Sequence, residues 1–197
     1  MGAHKGATEK KTRIKEQASR LFLTKGFSEV TLQSVAEAAG IGKASIYHYF
    51  PGGKDELFRI IVREAAEGYF RELRKEAMTG QSAAEKIQQY LTASVRRFWA
   101  GVPTADNELE RRAFIAQCSA DTGDMRSIER GFLMGLLDEG KIKGEFRDFD
   151  SNIVAEFLRV LTYALTVENF YVGEEAPTSS DLEHLVDFAM HGLIQEK

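Results

Sequence analysis

Apolar residues recur at helical spacing along most of the chain from Thr8 to Lys197, and no run shows the strict alternation of a half-buried strand. Only three prolines interrupt the 197 residues. Helices are therefore the elements available to this chain. With 43% hydrophobic and 28% charged residues it carries enough apolar surface to enclose a core between them. The expected fold is all-α.

Glycines and capping residues divide this helical pattern. A first helix is predicted after Thr8, whose hydroxyl can cap free amides, through to Lys25, with Ile14, Ala18, Leu21 and Phe22 on one face. Gly26 ends it, and Phe27 can fold back onto it. Thr31 is the next N-cap, opening "LQSVAEAAG" with Leu32, Val35, Ala36 and Ala39 inward. After "GIG" a second short helix runs from Lys43 to Phe50. Two short helices joined by a tight glycine-containing turn are the sequence form of a helix-turn-helix.

In that second helix Ile46 and Phe50 stand at i, i+4 and share an inward face. Lys43, Ala44, Ser45, Tyr47, His48 and Tyr49 are left for the outer surface. Four consecutive aromatic side chains, Tyr47 to Phe50, cannot all face one core. Lysine neutralises phosphate, tyrosine and histidine supply donors and flat surfaces, and Ala44 and Ser45 keep the helix slim enough for a major groove. Duplex DNA is the expected object. The lysines Lys10, Lys11 and Lys15 of the first helix fit a solvated face as well as a phosphate-binding arm.

Charge is distributed unevenly. The chain is −4 overall, yet residues 1–60 hold ten Lys/Arg against six acids and the remainder is −8. Such asymmetry confines polyanion contact to the N-terminal part. Beyond "PGG" a long helix is expected from about Lys54 to Met78, then helices at about 82–100, 107–119, 124–139, 150–172 and 179–195. No stretch reaches the roughly 18 apolar residues of a membrane span, and "MGAHKGATEKK" lacks the apolar segment of a signal peptide. The single cysteine, Cys118, agrees with a reducing compartment. A cytoplasmic location is expected, with no membrane partner.

The string from Thr31 through "VAEAAGIGKASIYHYF" to Lys54 and Leu57, about a quarter of the chain, resembles the DNA-binding domain of the TetR family of bacterial transcriptional repressors. The resemblance implies an N-terminal three-helix DNA-binding domain, residues 1–53, followed by a helical ligand-binding and dimerisation domain, residues 54–197. It implies a homodimer that reads a near-palindromic DNA operator and answers a small-molecule effector. It places Thr31, Lys43, Ser45, Tyr47, His48, Tyr49 and Lys54 at positions similar to the family's DNA-contacting ones. Tyr47 is assigned to backbone phosphate, and Lys43, Ser45 and His48 to base edges. Two departures stand out: Gly42 and Ala44 replace the frequent serine and glycine, and "PGGK" is one residue longer than the commonest spacing.

In the C-terminal part Phe98, Trp99, Phe114, Phe132, Phe157, Tyr163, Phe170 and Tyr171, together with Met134, are candidates to line an apolar effector pocket, with Gln117, Cys118 or Thr162 projecting a polar group. Core packing is the competing role for each. Arg96, Arg97, Arg111 and Arg112 could meet an acidic ligand or pair with Glu108 and Glu110. The helix at 150–172, with Ile153, Phe157, Leu158, Leu161 and Leu165, and the last helix, with Leu182, Leu185, Val186, Ala189 and Leu193, carry broad apolar stripes suited to a symmetry mate. His184, Asp187 and His191 span two turns, a long reach for one metal ion. The chain has no glycine-rich phosphate loop after a strand, no serine elbow and no cysteine–histidine signature. The expectation is a ligand-responsive repressor with no enzymatic activity, cofactor or metal. The competing readings are a ligand-independent or activating regulator, and a small-molecule binding or catalytic module with secondary DNA binding.

Overall fold

The computed structural model describes residues 2–101, 123–172 and 175–194. Among these the elements are α1 (Gly2–Glu29), α2 (Leu32–Ala38), α3 (Lys43–Tyr49), α4 (Gly53–Ala77), α5 (Ala83–Gly101), α6 (Gly123–Ile142) and α7 (Ser151–Tyr163). A π-helical turn (Ala164–Glu168), α8 (Asn169–Val172) and α9 (Ser179–His191) follow. Regular structure among the described residues is helical, apart from an isolated antiparallel bridge between Phe146 and Ile194. The chain divides into two compact units, one reaching from Met1 to Ala66 and the other beginning at Glu67. The expected helix at 107–119 lies outside the described residues.

The first unit is built on Ile14, Ala18 and Phe22 of α1, Leu32, Val35 and Ala36 of α2, Ile46 and Phe50 beside α3, and Leu57, Phe58 and Val62 of α4. Helix α1 breaks at Gly26 as expected, with φ of 75° and ψ of 160°. Phe27 then turns back, its ring 5.7 Å from Phe22 and 4.8 Å from Phe58. The start of α1 corrects the sequence reading: the helix begins at Gly2, so Thr8 stands inside it and is not its N-cap. Ala3, Lys5 and Ala7 ahead of Thr8 and Glu9, Lys10 and Lys11 after it are good helix formers, and the helix runs through the candidate cap in spite of Gly2 and Gly6.

In the second unit α5, α6, α7 and α9 enclose Ile87, Tyr90, Leu133, Leu137, Leu158 and Met190. Its helix starts are capped by side chains. Asp150 accepts from the amides of Asn152 and Ile153, and Thr178 exchanges bonds with Asp181 at the start of α9. Glu145 caps α5 from a distant loop, accepting from the amides of Ala83 at 2.8 Å and Ala84 at 3.2 Å. The helix expected at 150–172 is present but passes through the π turn. There the Trp99 indole donates to the Leu165 carbonyl at 2.9 Å, and the buried Thr166 hydroxyl donates to Thr162 at 2.7 Å. The last helix ends at His191, short of the expected 195, because Gly192 caps it and Leu193 then accepts from the amide of Arg147.

Candidate nucleic-acid interface and interior polar site

The helix-turn-helix is fixed almost entirely by local bonds. The Thr31 hydroxyl accepts from the Ser34 amide at 3.1 Å, and the Ser34 hydroxyl accepts from the Thr31 amide at 3.2 Å, a reciprocal cap at the head of α2. At its tail Gly40 adopts φ of 65°, and the amides of Gly40 and Ile41 donate to the carbonyls of Glu37 and Ala36. This pair of bonds is the Schellman arrangement, which needs the left-handed backbone that glycine adopts without a Cβ clash. The chain is thereby turned into α3 with no long loop.

Helix α3 presents the face that its spacing predicts. Ile46 and Phe50 are fully buried, whereas Lys43, Ala44, Ser45, Tyr47 and His48 are exposed and Tyr49 is half-buried. The Tyr47 ring is 47% exposed. The His48 and Tyr49 rings meet edge to face at 5.2 Å, so the two side chains act as one block on the outer surface. Tyr49 also reaches a cleft of about 320 Å³ lined by Thr8, Lys11, Thr12, Lys15 and Glu64. Two of the α1 lysines are engaged within the unit. Lys15 pairs with Glu64 at 2.6 Å, and Lys11 stands 5.5 Å above the Phe50 ring.

The extra glycine of "PGGK" has a definite conformation. Gly53 sits at φ of 68° and closes a tight turn by donating to the Phe50 carbonyl at 2.9 Å. A methyl group there meets Leu32 and Tyr47 only at ordinary contact distance, so the backbone angle rather than space demands glycine. Lys54, the next residue, is half-buried. Its ammonium donates to the Phe27 carbonyl at 2.9 Å and stands 4.2 Å over the Phe27 ring. Of the seven residues assigned to DNA, Lys54 alone has its charged group tied into the fold, which spends one of its three hydrogens.

The residues assigned to an effector pocket separate into two groups. Phe98, Trp99 and Phe132 are half-buried, Trp99 and Phe132 against the second core. Phe157 and Tyr163 are exposed on α7, at 55% and 40%. Phe114, Gln117 and Cys118 lie outside the described residues, as do Arg111, Arg112, Glu108 and Glu110. Arg96 and Arg97 both pair with Glu76, the latter at 3.1 Å.

A polar cluster that the sequence reading missed lies inside the second unit. Tyr90 is completely buried, and its hydroxyl donates to Glu129 at 3.1 Å. Tyr69 donates to the Ser94 carbonyl at 2.9 Å. Burial pushes both phenols well above their ordinary value, with Glu129 adding to the shift. Burial likewise raises the Glu129 carboxyl, against the lowering effects of the Tyr90 hydroxyl and Arg159. No pattern in the sequence joins these groups, since Tyr90 and Glu129 stand 39 residues apart.

The chain has relatives. The family model described as bacterial regulatory proteins, tetR family, matches residues 14–61. The HTH-type transcriptional repressor KstR2 of Mycolicibacterium smegmatis is 28% identical over 151 residues, 74% of this chain and 72% of that one. The HTH-type transcriptional regulator LmrA of Bacillus subtilis is 33% identical over 84 residues, 42% of this chain and 44% of that one. Among solved structures, ketosteroid transcriptional regulator KstR2 of Mycobacterium tuberculosis superposes with a TM-score of 0.56 at 18% identity, covering 94% and 95% of the two chains. A transcriptional regulator from Saccharomonospora viridis in complex with choline superposes with a TM-score of 0.70 at 21% identity, covering 96% and 100%.

Proposed function

Because the chain belongs to the TetR family of bacterial regulatory proteins, we propose that it is a transcriptional repressor that binds an operator through α3 and releases it when a small molecule occupies its C-terminal part. The observation that carries this reading is the outer face of α3. A short, doubly capped helix pair holds Lys43, Ser45, Tyr47 and His48 outward while Ile46 and Phe50 anchor them from behind. Tyr47 with the Thr31 hydroxyl positions the protein on phosphate, and Lys43, Ser45 and His48 read base edges. Residues 1–53 carry DNA recognition and residues 54–197 carry effector binding and dimerisation.

The operator is read by a homodimer. Helix α7 exposes Ile153 at 66%, Phe157 at 55% and Val160 at 50%, and α9 exposes Phe188 at 81%. An isologous pairing of these apolar faces covers them and sets the separation of two recognition helices. An effector that prefers a different separation weakens DNA binding by the same factor by which DNA weakens effector binding. That relatives and fold neighbours include repressors and a choline-bound regulator supports the small-molecule reading. The protein acts as a regulator rather than an enzyme, in the cytoplasm; among the described residues no helix is long and apolar enough to cross a membrane.

The test is selection of bound sequences from a random duplex pool at two salt concentrations. Enrichment of an inverted repeat is the expected result. Salt-sensitive binding with no enriched motif means that charge alone drives the contact, and the repressor reading fails.

A further inference from the structure

We propose that Glu129, facing Tyr90 inside the second unit, holds the positively charged head of a small organic cation with an apolar body. The proposal rests on the effector reading above and supplies the chemistry of the effector.

The carboxylate stands among groups whose bonding is already spent. Tyr90 on α5 gives it one hydrogen bond, the only one it accepts among the described residues, whereas an ionised carboxylate accommodates about four. The neighbouring cation, Arg159 on α7, is forked instead onto Glu156, at 2.9 and 2.6 Å. Arg74 on α4 donates to the Ile128 carbonyl and lies 5.3 Å over the Phe132 ring. Among the described residues Glu129 is therefore a partly buried carboxylate bonded by the Tyr90 phenol, while the neighbouring cation Arg159 lowers it through space but is hydrogen-bonded to Glu156.

As a structural element this arrangement is unfavourable. Tyr90 is enclosed together with Leu133, Leu137 and Leu158, and an apolar pair of the same shape would avoid desolvating a carboxylate there. The cluster makes sense when an external group completes it. A cation cancels the buried charge, while a neutral donor leaves it and an anion meets repulsion. The half-buried Phe132 ring, 5.4 Å from the enclosed Tyr90 ring, supplies flat apolar surface, and Arg74 already shows that Phe132 accepts a cation on its face. The upward shift of the Glu129 carboxyl agrees: without a cation, burial favours the protonated form.

The experiment compares three probes with the same ring, phenethylamine, 2-phenylethanol and phenylacetate, by thermal melting of the full chain near pH 8. At about ten times its dissociation constant the amine raises the melting temperature by about 3–6 °C. The alcohol and the carboxylate do not. Glu129→Gln, nearly the same shape, loses the shift, and Tyr90→Phe keeps it because the carboxylate remains. An absent amine shift, an equal shift in Glu129→Gln, or a larger shift with phenylacetate overturns the proposal. Operator release, measured on the duplex recovered by selection, separates this from the repressor reading. Release by a compound indifferent to Glu129→Gln leaves the repressor standing and sinks the cation site. Stabilisation by the amine, dependent on Glu129, in a protein that selects no operator leaves the site standing without the repressor.

Discussion

Lys54 donates to the Phe27 carbonyl at 2.9 Å while its ammonium lies 4.2 Å over the Phe27 ring, so one side chain ties the start of α4 to the segment after the Gly26 break. A charge-assisted hydrogen bond and a cation–π contact together make this a structural lysine. Lys54→Met is expected to lower stability by about 2 kcal/mol, read from urea denaturation. If the two remaining hydrogens also meet a phosphate, the salt slope of operator binding falls by about one unit in the same variant. Unchanged stability contradicts the structural role.

Tyr47 and His48 share the outer face of α3, and the proposed interface gives them different duties. Tyr47→Phe removes a hydroxyl from a ring that keeps its place beside Gly53, and is expected to weaken binding to all sequences alike, by about 1 kcal/mol. His48→Ala is expected to relax preference at one or two operator positions, by about 1–3 kcal/mol each. Binding measured across a set of single-base operator variants distinguishes the two patterns. A uniform effect of His48→Ala assigns it to the backbone instead.

Gly53→Ala tests the turn before α4. The side chain fits the space, so its cost is the left-handed backbone alone, about 1–2 kcal/mol. Deleting Gly52 or Gly53 to restore the shorter spacing moves α4 relative to α3 and is expected to cost more. Equilibrium unfolding of both variants gives the order.

Glu129 makes stability depend on pH in a predictable direction. Its carboxyl titrates above the ordinary 4.5 in the folded protein, so the folded state binds more protons than the unfolded state just above that value. Stability therefore falls as pH rises from about 4.5 through the folded value. The groups around it are Tyr90 from α5, Arg159 and Glu156 from α7, and Tyr69 and Arg74 from α4. Glu129→Gln, which cannot ionise, is expected to match the wild type in acid and to melt higher near pH 8. Parallel melting curves across this range contradict the assignment.

Phe157 and Phe188 test the dimer. Each is exposed on its own helix, so Phe157→Lys or Phe188→Lys should leave the fold intact while shifting the protein toward monomer in sedimentation. Operator affinity falls with the dimer. A monomeric wild type overturns the pairing.

The helix-turn-helix was legible in the sequence because almost all of the bonds that shape it are short-range. Thr31 and Ser34 cap each other across three residues, Gly40 closes α2 through its immediate neighbours, and i, i+4 spacing places Ile46 and Phe50. The interior site was not legible, because Tyr90, Glu129 and Arg159 come from three helices and meet only after packing. Thr8 misled for a related reason: a threonine marks a helix start only where the residues before it do not favour helix. The exposure of Phe157 and Tyr163 was not legible either, because neighbouring helices decide which apolar side chains of α7 are covered.

The π turn at Ala164–Glu168 changes the bookkeeping of faces along the helix that contains it. One additional residue in a helix rotates everything after it by about 100° relative to an unbroken α-helix. The backbone that leaves α7 is therefore turned about its axis by Asn169–Val172, although the chain runs on in one piece. A one-residue deletion in this turn would bring the backbone of Asn169–Val172 back into helical phase with α7, and it falls beside the Leu165 carbonyl that the Trp99 indole holds. In this stretch, chain length as well as side-chain identity determines which residues look the same way.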